Sequence, residues 1–208
     1  MKALLGKKLG MTQIFDDKTG TVTPVTVLQV GPCPVVQVKT RAKDGYEAVQ
    51  IGFGDIRTTT MTLPARGHFA RAGVTPRRML REFRVDDASQ YQVGQDLTVE
   101  MFQELARVDV IGTSKGKGFA GTVKRHHFTT GPKTHGSRNY RAPGSIGSNS
   151  TPNRVFKGQR MPGHMGNVRV TVRNVPVAQI DAANHLLLVG GAVPGARNGF
   201  VLVRTPKK

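Results

Sequence analysis

The chain has 208 residues and a formal charge of +18 at pH 7, from 31 Lys and Arg against 13 Asp and Glu. That length suits one or two domains with a real core, and the charge makes polyanions the natural partners, nucleic acid first and an anionic membrane surface second. A single cysteine, Cys33, excludes an internal disulfide framework and a Cys-based zinc site, and no apolar run approaches the ~18 residues of a transmembrane helix.

In chain order, residues 22–30 (VTPVTVLQV) are rich in β-branched side chains and nearly alternate. Residues 34–39 and 46–53 follow as two more short strands, with the Asp-Gly of a tight turn at Lys43-Asp44-Gly45. These three predict a meander. Over 61–75, Pro64 and the run GHFARAG predict one short helix stopped by Gly73. Strands are expected again over 79–85, 96–102 and 107–111. Residues 168–175 (VRVTVRNV) alternate apolar with polar, the pattern of a half-buried strand. Residues 177–180 and 186–189 then pair across a turn at 181–184, and Phe200–Arg204 makes a last strand. Strands on both sides of the middle predict one small β-barrel built from both termini, a closure that removes exposed edges. Phe15, Phe53, Phe83 and Phe102 are expected in its core. The opening MKALLGKKLG has too short an apolar run for a signal peptide, and no long amphipathic helix is present to lie on a membrane. A soluble, cytoplasmic protein without membrane contact is expected.

The middle of the chain is chemically distinct. From 110 to 180 there is no Asp or Glu and there are twelve Lys or Arg, which carry most of the net charge. Between 129 and 154 the one large aliphatic side chain is Ile146; the rest is mostly Gly, Pro, Ser, Thr, Asn and cations. Such a segment cannot bury enough apolar surface to offset the entropy of ordering itself. It needs an anionic partner. The expected division is a globular domain over 1–111 and 168–208, with a basic Gly/Pro-rich extension over 112–167. Out and back, that extension could reach about 90 Å, against a radius of gyration of about 17 Å for a globule of this length.

Catalytic motifs occur in the middle without their required context. GKGFAG at 116–121 fits a dinucleotide fingerprint, but the next acid is Asp181 and no βαβ unit surrounds it. GTSKG at 112–116 fits a nucleophile elbow, with Asp181 and His185 following in hydrolase order. No alternation of strands and long helices supports that fold, and Asp181 and His185 read better as the brackets of a hairpin turn. His126, His127, His135 and His164 lie in the most cationic zone with no acid or thiol nearby, which disfavours a metal site. They suit hydrogen bonding or stacking on a partner. Phe119, Phe128, Tyr140 and Phe156 interleave with the cations, and local packing is an equal alternative for Phe119 and Phe156. For Arg66, Arg71, Arg77 and Arg78, which have acids nearby in the chain, a solvated surface is as good a reading as binding.

The glycines let backbone N–H groups approach phosphates closely. Duplex DNA is disfavoured because no recognition helix or finger is present; an irregular cationic arm suits folded RNA. The expected RNA contacts are Lys115, Lys117, Lys124, Arg125, His126, His127, Lys133, His135, Arg138, Arg141, Arg154, Lys157, Arg160 and His164. No catalytic residue, cofactor, metal or small-molecule substrate is expected.

Taken in order, several runs of the chain resemble bacterial members of the ribosomal protein L3 family. They are GKKLGMT at 6–12, GHFARAG at 67–73, VDVIGTSKGKGFAGTVKR at 108–125, RAPGSIG at 141–147 and LLLVGGAVPG at 186–195. The resemblance implies a six-stranded barrel of the translation-protein type, mainly β with one or two short helices, and a long loop that enters ribosomal RNA. It further implies an early assembly role near the 3′ region of the large RNA, with ribosomal proteins L14 and L19 as neighbours. The loop tip would lie near the peptidyl transferase centre at Gly144, Ser145, Gly147, Ser148, Asn149, Ser150, Thr151 and Pro152, with Asn149 near the apex and in contact with RNA. His126-His127 stand where relatives often have Trp-Asn. Ser148 and Ser150 occupy positions that can be glutamine, and Asn153 replaces a common glycine.

One outcome follows for the free protein. Amides between 129 and 154 exchange with solvent almost unprotected, while those of 168–175 are protected. Residue-resolved hydrogen exchange checks this, and strong protection of the middle in isolation would contradict a partner-ordered segment.

Overall fold

The computed structural model describes residues 2–15 and 20–206; residues 1, 16–19 and 207–208, which include the outer ends of the expected globular domain, lie outside them. The strands are β1 (Ala3–Phe15), β2 (Val22–Val30), β3 (Cys33–Lys39), β4 (Ala48–Asp55), β5 (Arg77–Arg84), β6 (Asp96–Leu97), β7 (Arg107–Thr113), β8 (Phe119–Ala120), β9 (Gly163–His164), β10 (Arg169–Asp181), β11 (Leu186–Gly190) and β12 (Phe200–Arg204). Three short helices interrupt them: α1 (Arg41–Asp44), α2 (Leu63–Ala72) and α3 (Thr122–His126). The chain divides into two compact units, one of Met1–Thr113 with Arg169–Lys208 and the other Ser114–Val168.

The first unit is organised by a closed six-stranded antiparallel barrel, in the order β1-β12-β7-β10-β11-β2. The first and last strands are hydrogen-bonded neighbours, Leu4 opposite Val203 and Gly6 opposite Val201, so the barrel closes only when both ends of the chain are present. A second sheet, β5-β4-β3-β6, shares its core: Val35, Val49, Ile51, Phe53 and Phe83 are buried with Leu4, Leu5, Leu28, Val108 and Val203. Helix α2 ends at Gly73, which takes the left-handed conformation, and buries Phe69.

Several expectations are corrected. Strand β1, the first in the barrel, is absent from the elements read off the sequence. Leu4 and Leu5 are adjacent yet both fully buried, so the strand lacks the alternation that marks a one-sided strand. Its neighbours explain this: β1 belongs to the barrel and also packs on β4. The predicted meander of β2, β3 and β4 does not form. Both edges of β2 are already occupied, by β1 and β11, so β3 pairs elsewhere. Over 96–102 only Asp96–Leu97 is strand, and Val99–Phe102 is a 3-10 turn that buries Val99 and Phe102. Leu97, Val99 and Met101 alternate as apolar residues of a strand would, whereas the turn buries Val99 and Phe102, three apart, as three residues per turn require. Phe53, Phe83 and Phe102 are core residues as expected, but Phe15 is 62% exposed. It pairs with Val22 at the far end of the β1–β2 hairpin, beyond the stretches that β12 and β11 cover.

One buried charge ties three barrel strands together. Asp109 of β7 is 1% exposed. Its Oδ2 accepts from Arg204 Nε (3.3 Å) and Nη2 (3.1 Å) on β12, and its Oδ1 accepts the backbone N–H of Asn174 at 3.1 Å. Asn174 sits where the pairing of β10 with β7 slips, with φ 55°. The carboxylate therefore satisfies a backbone donor that the bulge removes from the ladder.

Removing one partner of such a group strands the others. Asp109→Ala is expected to lower unfolding free energy by about 3 kcal/mol in urea titrations. Glu104→Ala, an exposed acid, should leave the midpoint unmoved. Equal midpoints for both variants would remove Asp109 from the account of barrel closure.

Candidate nucleic-acid interface

The second unit begins as a two-stranded stem. Ser114 N–H donates to Val168 O (2.9 Å), Asn167 N–H to Ser114 O (3.2 Å), Lys117 N–H to Met165 O (2.9 Å) and Met165 N–H to Gly118 O (2.9 Å). Strands β8 and β9 extend this ladder. Gly166 has φ 73°, and a Cβ there would collide with the carbonyl oxygen of Lys115, so the stem requires glycine at that point. Ser114 serves the stem as well: its Oγ accepts the N–H of Val168 at 3.3 Å. Asp181 accepts from the side chain (2.8 Å) and backbone (3.2 Å) of Asn184. Those bonds, the side-chain one foremost, hold its carboxyl below the usual range. Asp181 and His185 thus bracket the β10–β11 turn, and the apparent hydrolase motif dissolves into two structural elements.

Beyond the stem, α3 is a single turn and a half closed by His127, whose φ is 60° and whose N–H donates to Val123 O. Two side chains of this helix converge on one carbonyl: Arg125 Nη1 donates to Met161 O at 2.8 Å, and His126 Nε2 lies 3.1 Å from the same oxygen. Gly163 lies against the Arg125 guanidinium, where a Cβ would approach Nη1 to 2.6 Å. Arg125 and His126, both half-buried, therefore hold the outgoing and returning limbs of the arm together. Nothing in their sequence neighbourhood distinguishes them from the exposed cations, because the contact spans 35 residues or more.

From 127 to 162 there is neither helix nor strand. Local ties shape this arm instead. Gly131 N–H donates to Tyr140 O (2.9 Å), and the Lys133 ammonium lies over the Tyr140 ring at 5.3 Å. His135 and Gly136 both have positive φ, and Ser137 N–H returns to Thr134 O. Arg154 covers Phe156 at 5.9 Å. Asn153 has φ 54°, the left-handed conformation that asparagine tolerates better than most residues. At the tip, Gly144, Ser145, Gly147, Ser148, Asn149, Ser150 and Thr151 are exposed and Pro152 is half-buried. Ser145 Oγ donates to Gly147 O at 2.9 Å.

Of the other expected contacts, Lys115, Lys117, Lys124, His127, Lys133, His135, Arg138, Arg141, Arg154, Lys157, Arg160 and His164 are all exposed. Phe119 and Phe156 are 79% and 59% exposed; neither is buried in local packing, though Arg154 lies over the Phe156 ring. Between 114 and 168 there are ten Lys or Arg and no carboxylate. Among the described residues no cluster of His, Cys, Asp and Glu could hold a metal. On the first unit, Arg77 is ion-paired with Asp55, and Arg78 lies over Phe200 at 5.8 Å. An arm of exposed cations, backbone amides and small hydroxyls can bind phosphate and ribose.

The chain was compared with known proteins. A family model described as Ribosomal protein L3 matches residues 82–186. The large ribosomal subunit protein uL3 of Heliobacterium modesticaldum is 55% identical over all of this chain and 98% of its own length. Those of Corynebacterium jeikeium and Acidothermus cellulolyticus are each 56% identical over all of this chain and 95% and 94% of their own lengths. No helix among the described residues is long and apolar enough to cross a membrane. The chain belongs to the ribosomal protein L3 family, whose members are structural components of the ribosome and not enzymes.

Proposed function

We propose that this chain is a cytoplasmic structural component of the large ribosomal subunit that binds the large ribosomal RNA directly through residues 112–167. The observation that carries this reading is the arm itself: ten cations from 114 to 168, most of them exposed, with no carboxylate to neutralise them. Where RNA helices pack closely, phosphates repel, and cations placed between them let the helices approach. The exposed, glycine-rich tip around Gly144–Pro152 is narrow enough in side-chain volume to pass between RNA elements. In this reading it extends toward the peptidyl transferase centre, where it positions nucleotides and the RNA does the chemistry. The resemblance to the family adds an early role in assembly near the 3′ region of the RNA, and proteins L14 and L19 as neighbours. A free RNA chaperone is the alternative within the same chemistry.

Neutralisation of about eight phosphates gives a log–log salt slope of about −6 to −7. Filter binding to purified large-subunit RNA across a salt series measures it, and a slope near zero would contradict the reading. Sucrose gradients separate the two RNA-binding alternatives. The expected result is that the protein stays with the large subunit in high salt; release there would indicate a chaperone.

A further inference from the structure

Arg125 stands apart from the other cations of its unit. Every other Lys or Arg between 114 and 168 is exposed, whereas Arg125 is half-buried, as is His126 beside it. Both side chains are committed to one atom. The carbonyl oxygen of Met161 accepts from Arg125 Nη1 at 2.8 Å and lies 3.1 Å from His126 Nε2; since that oxygen can only accept, the imidazole presents Nε2–H to it. Two lone pairs meet two donors. The donors stand on a fixed base: the Arg125 backbone N–H donates to Gly121 O at 2.9 Å, and Ala120 and Thr122 are buried. The acceptor is held by the returning limb, where Gly163 pairs with Ala120 and lies against the guanidinium. The tie spans 36 residues, and Lys133, Arg138, Arg141, Arg154, Lys157 and Arg160 all lie inside it.

We propose that Arg125, with His126 beside it, is a positioning residue of the arm: by bonding the Met161 carbonyl it closes the base of the outer loop and presents those six cations to RNA together, without neutralising a phosphate itself. Closing a loop removes conformations that the free chain would otherwise lose on binding, so affinity rises with no new contact to the partner. A guanidinium has five N–H donors, and a phosphate on its outer side is the competing reading. Half-burial and the close approach of Gly163 favour the internal role. The inference rests on reading the chain as an RNA-binding protein, and the test separates the two.

The two roles differ in salt dependence. A lost phosphate contact lowers the magnitude of the log–log salt slope by about 0.7–0.9, whereas a lost internal tie weakens binding alike at every salt concentration. The full-length protein is titrated with purified bacterial large-subunit RNA in filter binding across a salt series. Arg125→Ala is expected to bind about tenfold more weakly, with the parent's slope. Gly163→Ala keeps every cation. Gly163 is a strand residue without positive φ, so alanine suits its backbone, and the added Cβ, 2.6 Å from Nη1, displaces the guanidinium from the carbonyl. This variant is expected to weaken binding severalfold, again with the parent's slope, and it decides alone if Arg125→Ala fails to fold. A slope reduced by about 0.7–0.9 in Arg125→Ala would make Arg125 a phosphate contact and overturn the proposal. Parental affinity in Gly163→Ala would overturn it too. In both cases the parent's own slope keeps the RNA reading intact. A parent with no salt-dependent binding would remove the RNA reading itself, and the proposal with it.

Discussion

The segment 114–168 carries positive charge with no counter-charge of its own, and this constraint shapes the rest of the molecule. Two effects oppose its order, and their magnitudes differ. Two unit charges about 10 Å apart in water repel by only about 0.4 kcal/mol, less with physiological salt. Fixing each backbone residue costs about 1–2 kcal/mol. The larger deficit is therefore the absent core: Ile146, Val155 and Phe156 are all substantially exposed, and apart from the tie at Met161 the hydrogen bonds that shape 127 to 162 are short-range. In the proposed reading, phosphate contacts would address both effects at once, since they would supply binding energy along the arm and cancel the repulsion.

The barrel supplies the fixed end. Because β10 begins one residue beyond the arm and pairs with β7, which ends one residue before it, the arm leaves and returns on neighbouring antiparallel strands. Asp109, through Arg204 and Asn174, ties those two strands to β12. Farther out, Arg125 and His126 tie the two limbs at Met161. Fixed contacts thus cluster where the chain passes between the barrel and the arm. The segment beyond has few such ties, a division that fits the proposed ordering of the arm by RNA.

How much of this is legible in the sequence depends on whether the cause is local. Strand β10 alternates because only one of its faces is buried, and α2 stops at a glycine that takes positive φ; both are readable. The arm is readable from what it lacks. By contrast, β1 is hidden because its first four residues are buried on both faces, and the pairing of β2 depends on β11, more than 150 residues away. The 3-10 turn at Val99–Phe102 hides behind the strand-like alternation of Leu97, Val99 and Met101. Arg125 reads as one more cation of the basic stretch, and only the fold reveals its hold on the Met161 carbonyl. Family resemblance supplies the expectation of a tip at 144–152, which composition alone leaves as a run of small polar residues.

The central claim is that the arm takes its form from polyphosphate. Distances between spin labels at S137C and Q159C test it most directly. Burial pushes the Cys33 thiol up to about 12, so labelling falls on the introduced cysteines. A broad distance distribution in the free protein that collapses to one narrow peak on large-subunit RNA is the expected result. The same narrow peak with and without RNA would contradict the claim.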